Sequence, residues 1–259
     1  MYDEEIKFAR ELSQKAGNII KKNYKKVREF ELKSDDSPVT VIDTKINQFV
    51  SESIRKKFPR DGFDGEEGGF GLKRIRKWLC DPIDGTALFN IGIPESTFLL
   101  SLYDGEKPVL AVGYNPVLGD NFEAVLGNGA FCNGERIHVS NLSAKDRGYV
   151  VVDPKIFIEN PEIVPRLEQA GFKIVGMAAT GQKFMIVAEG GAVATIRGTG
   201  DYHDIGVGAF LVQEAGGVAT DLSGNKPAIK LINGKFTLNN GYIAGNPTAH
   251  KDILKAITD

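Results

Sequence analysis

The stretch WLCDPIDGTALFN, Trp78 to Asn90, decides the reading of this chain. Its apolar lead-in predicts a strand from Lys77 to Cys80 that ends at Asp81. Pro82 biases Asp81 toward extended backbone and fixes its own φ. Gly85 permits a tight turn, so the carboxylates of Asp81 and Asp84 can converge on one point. Two carboxylates that close repel unless a cation lies between them. Hard oxygen ligands favour Mg²⁺, with Mn²⁺ or Ca²⁺ behind it and Zn²⁺ last. A helix beginning after Gly85 would add the amides of Gly85, Thr86 and Ala87 as an anion site. Metal ions beside a phosphate cradle suit phosphoryl transfer to water, one ion activating the water and another stabilising the leaving oxygen. Taken alone, D-P-x-D-G reads more simply as a capped turn, so the rest of the chain has to decide.

The 259 residues suffice for one elaborate domain or two fused halves. Lys and Arg (32) nearly balance Asp and Glu (34), and 42% of residues are hydrophobic. That balance predicts no nucleic-acid partner and no membrane partner, and favours small-molecule work. Three acids near the N-terminus stand where a signal peptide wants positive charge, and no apolar run approaches the ~20 residues of a membrane span. A cytoplasmic protein is expected. Cys80 and Cys132 have no metal-type spacing and read as buried free thiols.

Helical spacing of Ile6, Ala9, Leu12, Ala16 and Ile20 predicts a helix over 5–24, and Ile46, Phe49, Val50 and Ile54 a second over 44–57. Asp43 falls where a short β-branched run feeds the second helix. FPRDGFDGEEGGFG (58–71), rich in glycine and acids, is expected to be irregular. Runs at 98–103, 109–114 and 121–126 predict an antiparallel sheet, with a hairpin turn at Asn133-Gly134. From about Ser140 strand and helix alternate: strands 149–153, 172–176 and 192–197, helices 161–170, 182–188 and 204–215. Two sub-domains follow, 1–142 and 143–259, with a site at their junction.

The chain resembles the inositol monophosphatase family of Mg²⁺-dependent, Li⁺-sensitive sugar phosphatases. VTVID (39–43), GEEG (65–68), WLCDPIDGT (78–86) and HDIGVGAFLVQEAGG (203–217) carry the resemblance in the family's order, and GAFCNGERIHVS (129–140) and YIAGN (242–246) add to it. It implies a layered αβαβα sandwich, of mixed α+β and α/β class. It also implies that Glu66, Asp81 and the Ile83 carbonyl hold one metal, and that Asp81, Asp84 and Asp204 hold a second, with Glu66 serving a weaker third. Two or three Mg²⁺ ions per site are therefore implied, with Mn²⁺ as a substitute. Asp43 and Thr86 would orient the attacking water, and Gly85 and Thr86 would hold the phosphate. Gly176-Met177-Ala178 matches the segment that touches the sugar, and Asp84 and Asp204 would also meet substrate. A small phosphate ester as substrate and a homodimer are implied as well.

Departures bear on the substrate. Ala87-Leu88 replace a polar pair, and His203 replaces a Trp. Arg197 stands where inositol-specific members place a Glu that accepts hydrogen bonds. Arginine cannot accept, but it can bind a second anion, as in fructose 1,6-bisphosphate, or make a salt bridge to one of the many surface acids. PVLAVGYNPVLGD (108–120) resembles the histidinol-phosphatase branch. A silent metal-binding regulatory protein is the alternative of another class, and the complete set Asp43, Glu66, Asp81, Asp84, Thr86 and Asp204 argues against it.

Overall fold

The computed structural model describes residues 1–26, 29–33, 38–198, 200–227, 229–232, 235–238 and 240–258, with the backbone alone at 200–202, 204, 229–232 and 235–237. Helix α1 (Asp3–Asn23) buries Ile6, Ala9, Leu12, Ala16 and Ile20 along one face. Acids in its first turn and Lys21 and Lys22 in its last complement the helix dipole. Strands β1 (Glu31–Leu32) and β2 (Pro38–Val39) form a short pair before α2 (Val41–Lys57). Helix α2 opens with a capping box, in which the Thr40 side chain accepts from the backbone and Asp43 accepts from the Thr40 amide.

The larger sheet contains β3 (Gly62–Gly65), β4 (Gly68–Phe70), β5 (Arg76–Asp84), β6 (Thr97–Asp104), β7 (Lys107–Asn115), β8 (Asp120–Val125), β9 (Gly129–Cys132) and β10 (Glu135–Ile137). Their spatial order is β10-β9-β8-β7-β6-β5-β3-β4, antiparallel except where β3 runs parallel to β5. The glycine- and acid-rich stretch is thus partly regular, against expectation. Phe63 is buried there and pairs in register with Trp78, so a partner strand supplies the order that local sequence lacks. Strand β5 also runs past Cys80 to Asp84, with a register shift against β6 between Asp81 and Asp84. Pro82, which has no amide hydrogen to offer a ladder, falls inside that shift. Helix α3 (Thr86–Ile91) follows at once.

The second sheet has the order β12-β11-β13-β18-β15, built from β11 (Tyr149–Val152), β12 (Lys173–Gly176), β13 (Ala194–Arg197), β15 (Val218–Thr220) and β18 (Tyr242–Gly245). A three-stranded sheet joins β14 (Gly200–Asp201), β17 (Lys235–Leu238) and β16 (Ile229–Ile232). The remaining helices are α4 (Ile156–Glu159), α5 (Ile163–Gln169), α6 (Thr180–Ala188), α7 (Tyr202–Glu214) and α8 (Pro247–Thr258).

Side-chain alternation along the strands sets the layers. Phe98, Leu100 and Leu102 of β6 pack with α1 and α2, whereas Leu99 packs on the opposite face with Phe184, Met185 and Leu211 of α6 and α7. Val151 of β11 and Ala244 of β18 close the other side of that helical layer. Val150, Val152 and Ile243 face outward to Leu167 of α5 and Ile253 of α8. The result is a five-layer αβαβα sandwich. Cys80 is buried and Cys132 only half-buried, both as free thiols. Among the described residues no helix is long and apolar enough to cross a membrane.

Candidate active site

The register shift in β5 turns its last residues into a bend beside α2, α3 and α6. Asp81 and Asp84 are both buried there, at 3% and 4% exposure. The Ile83 amide donates to Asp81 Oδ1 at 2.9 Å, which fixes that carboxylate against its own turn. Asp84 accepts from Thr97 Oγ1 at 2.9 Å and from the amides of Thr180 and Gly181 at 3.0 and 2.8 Å. Burial nevertheless holds the Asp84 carboxyl above its ordinary range, against those hydrogen bonds and the pull of Lys183. Gly85 is needed at this bend for two reasons. Its φ is +79°, and a Cβ there would lie 3.2 Å from the Cβ of Ala179 at the foot of α6.

Asp43 reaches the same bend from the first turn of α2. Its Oδ2 accepts from the Thr40 amide and hydroxyl, and Thr86 Oγ1 lies 3.1 Å from its Oδ1 and 2.9 Å from the Ile83 carbonyl oxygen. The single Thr86 hydrogen can serve one of those acceptors at a time. Burial pushes the Asp43 carboxyl up to about 6 although Thr40 and Thr86 pull it down.

Glu66 follows β3, and its amide donates to the Cys80 carbonyl beside Asp81 at 3.0 Å. The preceding Gly65 leaves no room for a side chain, since a Cβ would sit 2.0 Å from Asn47 Oδ1 of α2. Lys33 pairs with Glu66 at 2.7 Å and with Glu67. Burial opposes the Lys33 charge, but the two glutamates outweigh it and hold the ammonium above its usual range. Sequence reasoning missed two neighbours of the site: Lys33, and Asp64, whose Oδ1 lies 3.5 Å from His203 Nε2. A lone lysine outside any periodic pattern carries no signal for such pairing, and Asp64 sits in a stretch that reads as loop.

Asp204 lies in the first turn of α7 by its backbone, and its side chain is outside the described residues. Arg197 is turned to the protein's own acids. Its Nη1 donates to Thr180 Oγ1 at 2.7 Å, and its Nε lies 3.6 Å from Asp153, which also pairs with the fully buried Lys183 at 2.8 Å. Of the two alternatives for Arg197, a pairing within the chain is the one found, but its acid is buried rather than on the surface. The segment that meets Asp84 is Thr180-Gly181. Gly176, Met177 and Ala178 precede it, and only Met177 packs inward, against the middle helical layer.

Glu66, Asp81, Asp84 and the Ile83 carbonyl form an all-oxygen donor set. Cys80 cannot add a thiolate, because burial and Glu66 raise its thiol well above the ordinary value. Among the described residues no group of three or more His, Cys, Asp or Glu is gathered as a ready-made metal cage. Oxygen donors of this kind suit a hard divalent cation, and Asp84 among them, held above its normal range by burial, lacks the positive charge such an ion brings.

The profile of the inositol monophosphatase family matches residues 1–259. The chain belongs to the inositol monophosphatase family. It is 31% identical to a fructose-1,6-bisphosphatase/inositol-1-monophosphatase of Thermotoga maritima, over 98% of this chain and 96% of that one. A histidinol-phosphatase of Chlorobaculum parvum is 29% identical over the same shares. A solved Thermotoga maritima IMPase superposes with a TM-score of 0.87 and 28% identity, covering 98% of this chain and 96% of that one. Membership makes the chain a phosphoric monoester hydrolase acting on small phosphate esters.

Proposed function

We propose that the chain hydrolyses a small polyol or sugar phosphate with Mg²⁺, Mn²⁺ serving as a substitute. The observation that carries this reading is the link from Asp43 through the Thr86 hydroxyl to the Ile83 carbonyl, beside buried Asp81 and Asp84. Glu66, Asp81, Asp84, Asp204 and the Ile83 carbonyl would hold two or three ions. When bound, they would supply activation of water and charge stabilisation at the phosphate. Asp43 and Thr86 hold and orient the attacking water, and the Asp43 carboxylate takes its proton. The first amides after Gly85 face the phosphate. In the same proposal residues 1–142 contribute the bend, 143–259 contribute Asp204 and α6, and the enzyme is a Li⁺-sensitive cytoplasmic homodimer.

For substrate, we infer a monophosphate handled without a second anion contact at Arg197. Asp153 and Thr180 engage that guanidinium, which supports a positioning role through the Thr180 amide on Asp84. Names among the relatives leave inositol 1-phosphate, fructose 1,6-bisphosphate and histidinol phosphate in play. Phosphate release from these three with Mg²⁺, by wild type and Arg197→Glu, separates them. A positioning role predicts a loss of kcat on every substrate. A loss confined to fructose 1,6-bisphosphate would restore the anion-binding role.

A further inference from the structure

Two short basic runs take no part in the chemistry above. RKKFPR (55–60) ends α2, and KRIRK (73–77) leads into β5. The fold brings them together around a cavity of about 750 Å³ that includes Lys57, Arg60, Lys73, Arg74, Ile75 and Arg76. Fourteen residues of α2 separate Asp43 from Lys57, roughly 20 Å at 1.5 Å per residue. The groove and the acidic bend therefore sit at opposite ends of α2.

Part of this charge is cancelled and part is not. Lys57 pairs with Glu4 at 2.5 Å, and Arg76 with Glu5 and Asp61 at 2.7 and 3.0 Å. Asp104 pairs in register with Arg76 at the rim. Arg74 is fixed without neutralisation, by the Pro59 and Asp61 carbonyls at 2.8 and 2.6 Å. Arg55 stacks over the Phe70 ring at 4.4 Å. Lys56, Arg60 and Lys73 are exposed, and no ion pair involves them among the described residues. A helix C-terminus explains Arg55, Lys56 and Lys57 by its dipole, but Arg60, Lys73 and Arg74 lie outside any helix.

We propose that this groove binds the phosphate backbone of a single-stranded nucleic acid. Guanidinium groups pre-set by carbonyls and a ring match phosphate oxygens in planar pairs. Ile75 and Leu72, 74% and 52% exposed, offer apolar surface to unstacked bases. The balanced net charge that spoke against nucleic acid is an average over the chain and hides this local excess.

Fluorescence anisotropy of the full chain with a labelled 20-nucleotide oligo-uridine, between 50 and 200 mM KCl, tests it. Binding is expected with a log–log salt slope of about −3.5, from roughly five contacts at about 0.7 each. Arg60→Glu with Lys73→Glu should weaken binding at least tenfold and flatten the slope by about 1.4, with phosphate release unchanged. No saturable binding at 50 mM KCl, or an unchanged affinity in the double variant, would overturn the proposal. Tighter, charge-reversal-sensitive binding of poly-glutamate or of phosphatidylserine vesicles would overturn it too, assigning the groove to an acidic protein or a membrane.

Discussion

Asp43 concentrates the chemistry of the site in one carboxyl. Its pKa in the fold, about 6, lies above its ordinary 3.8, so the fold favours the protonated form. The stability linked to it is full below about pH 4 and is lost as pH rises through 6. Each tenfold change in proton affinity is worth about 1.4 kcal/mol, so metal-free protein should lose on the order of 3 kcal/mol over that window. Asp43→Asn removes the titration while keeping the network, because an amide can donate to Thr86 as Thr86 donates to Ile83. In EDTA the variant should melt about 6–12 °C above wild type at pH 8 and level with it at pH 4. Equal shifts at both pH values would contradict the desolvation argument. Turnover should fall about 10²-fold or more in the same variant, since the water loses its proton acceptor.

Helix α6 is the element that ties the second half of the chain to the bend, through the Thr180 and Gly181 amides. One turn on, Lys183 has no exposure and shares Asp153 with Arg197. Lys183→Met leaves that buried acid with its more distant partner alone, and urea unfolding should register a loss of about 3 kcal/mol. Across the layer, Gly208 of α7 meets Phe184, and a Cβ there would lie 2.2 Å from the ring. Phe184 is stacked on Tyr242 at 4.9 Å and cannot retreat, so Gly208→Ala should cost about 2 kcal/mol or more in the same assay. An unchanged midpoint in either variant would mean that the contact relaxes at no cost. The elements with clear periodicity, α1, α2, β6 and β7, are legible in the sequence. Strands β3 and β4 are not, because their order comes from pairing, β3 with β5 and β4 with β3, rather than from alternation of their own residues. The extension of β5 through Pro82 is equally hidden, since a proline argues locally against a strand and only the register shift accommodates it.

At the scale of the whole molecule, the site is assembled from residues spread across the chain, which limits what spacing can reveal. D-P-x-D-G draws attention to Asp81 and Asp84, but alone it reads as a capped turn, and only the other motifs of the chain make them candidate metal ligands. Asp43 and Glu66 can be placed with them only by family resemblance, since nothing local connects α2 or the end of β3 to that bend. Arg197 shows the converse limit: its type suggests an anion partner, and the partner supplied by the fold is Asp153. Buried acids short of positive charge also predict that Mg²⁺ stabilises the molecule, by RT ln(1 + [Mg²⁺]/Kd), or about 2.7 kcal/mol at a hundredfold excess over Kd. Calorimetry with and without EDTA should show the rise in Tm, and Asp81→Asn should reduce it. The most direct measurement is phosphate release from inositol 1-phosphate with Mg²⁺ by wild type and Asp81→Asn, each checked for a cooperative melt. The geometry of the bend predicts turnover by wild type that EDTA abolishes, and none by a folded Asp81→Asn. Retained turnover in that folded variant would contradict it.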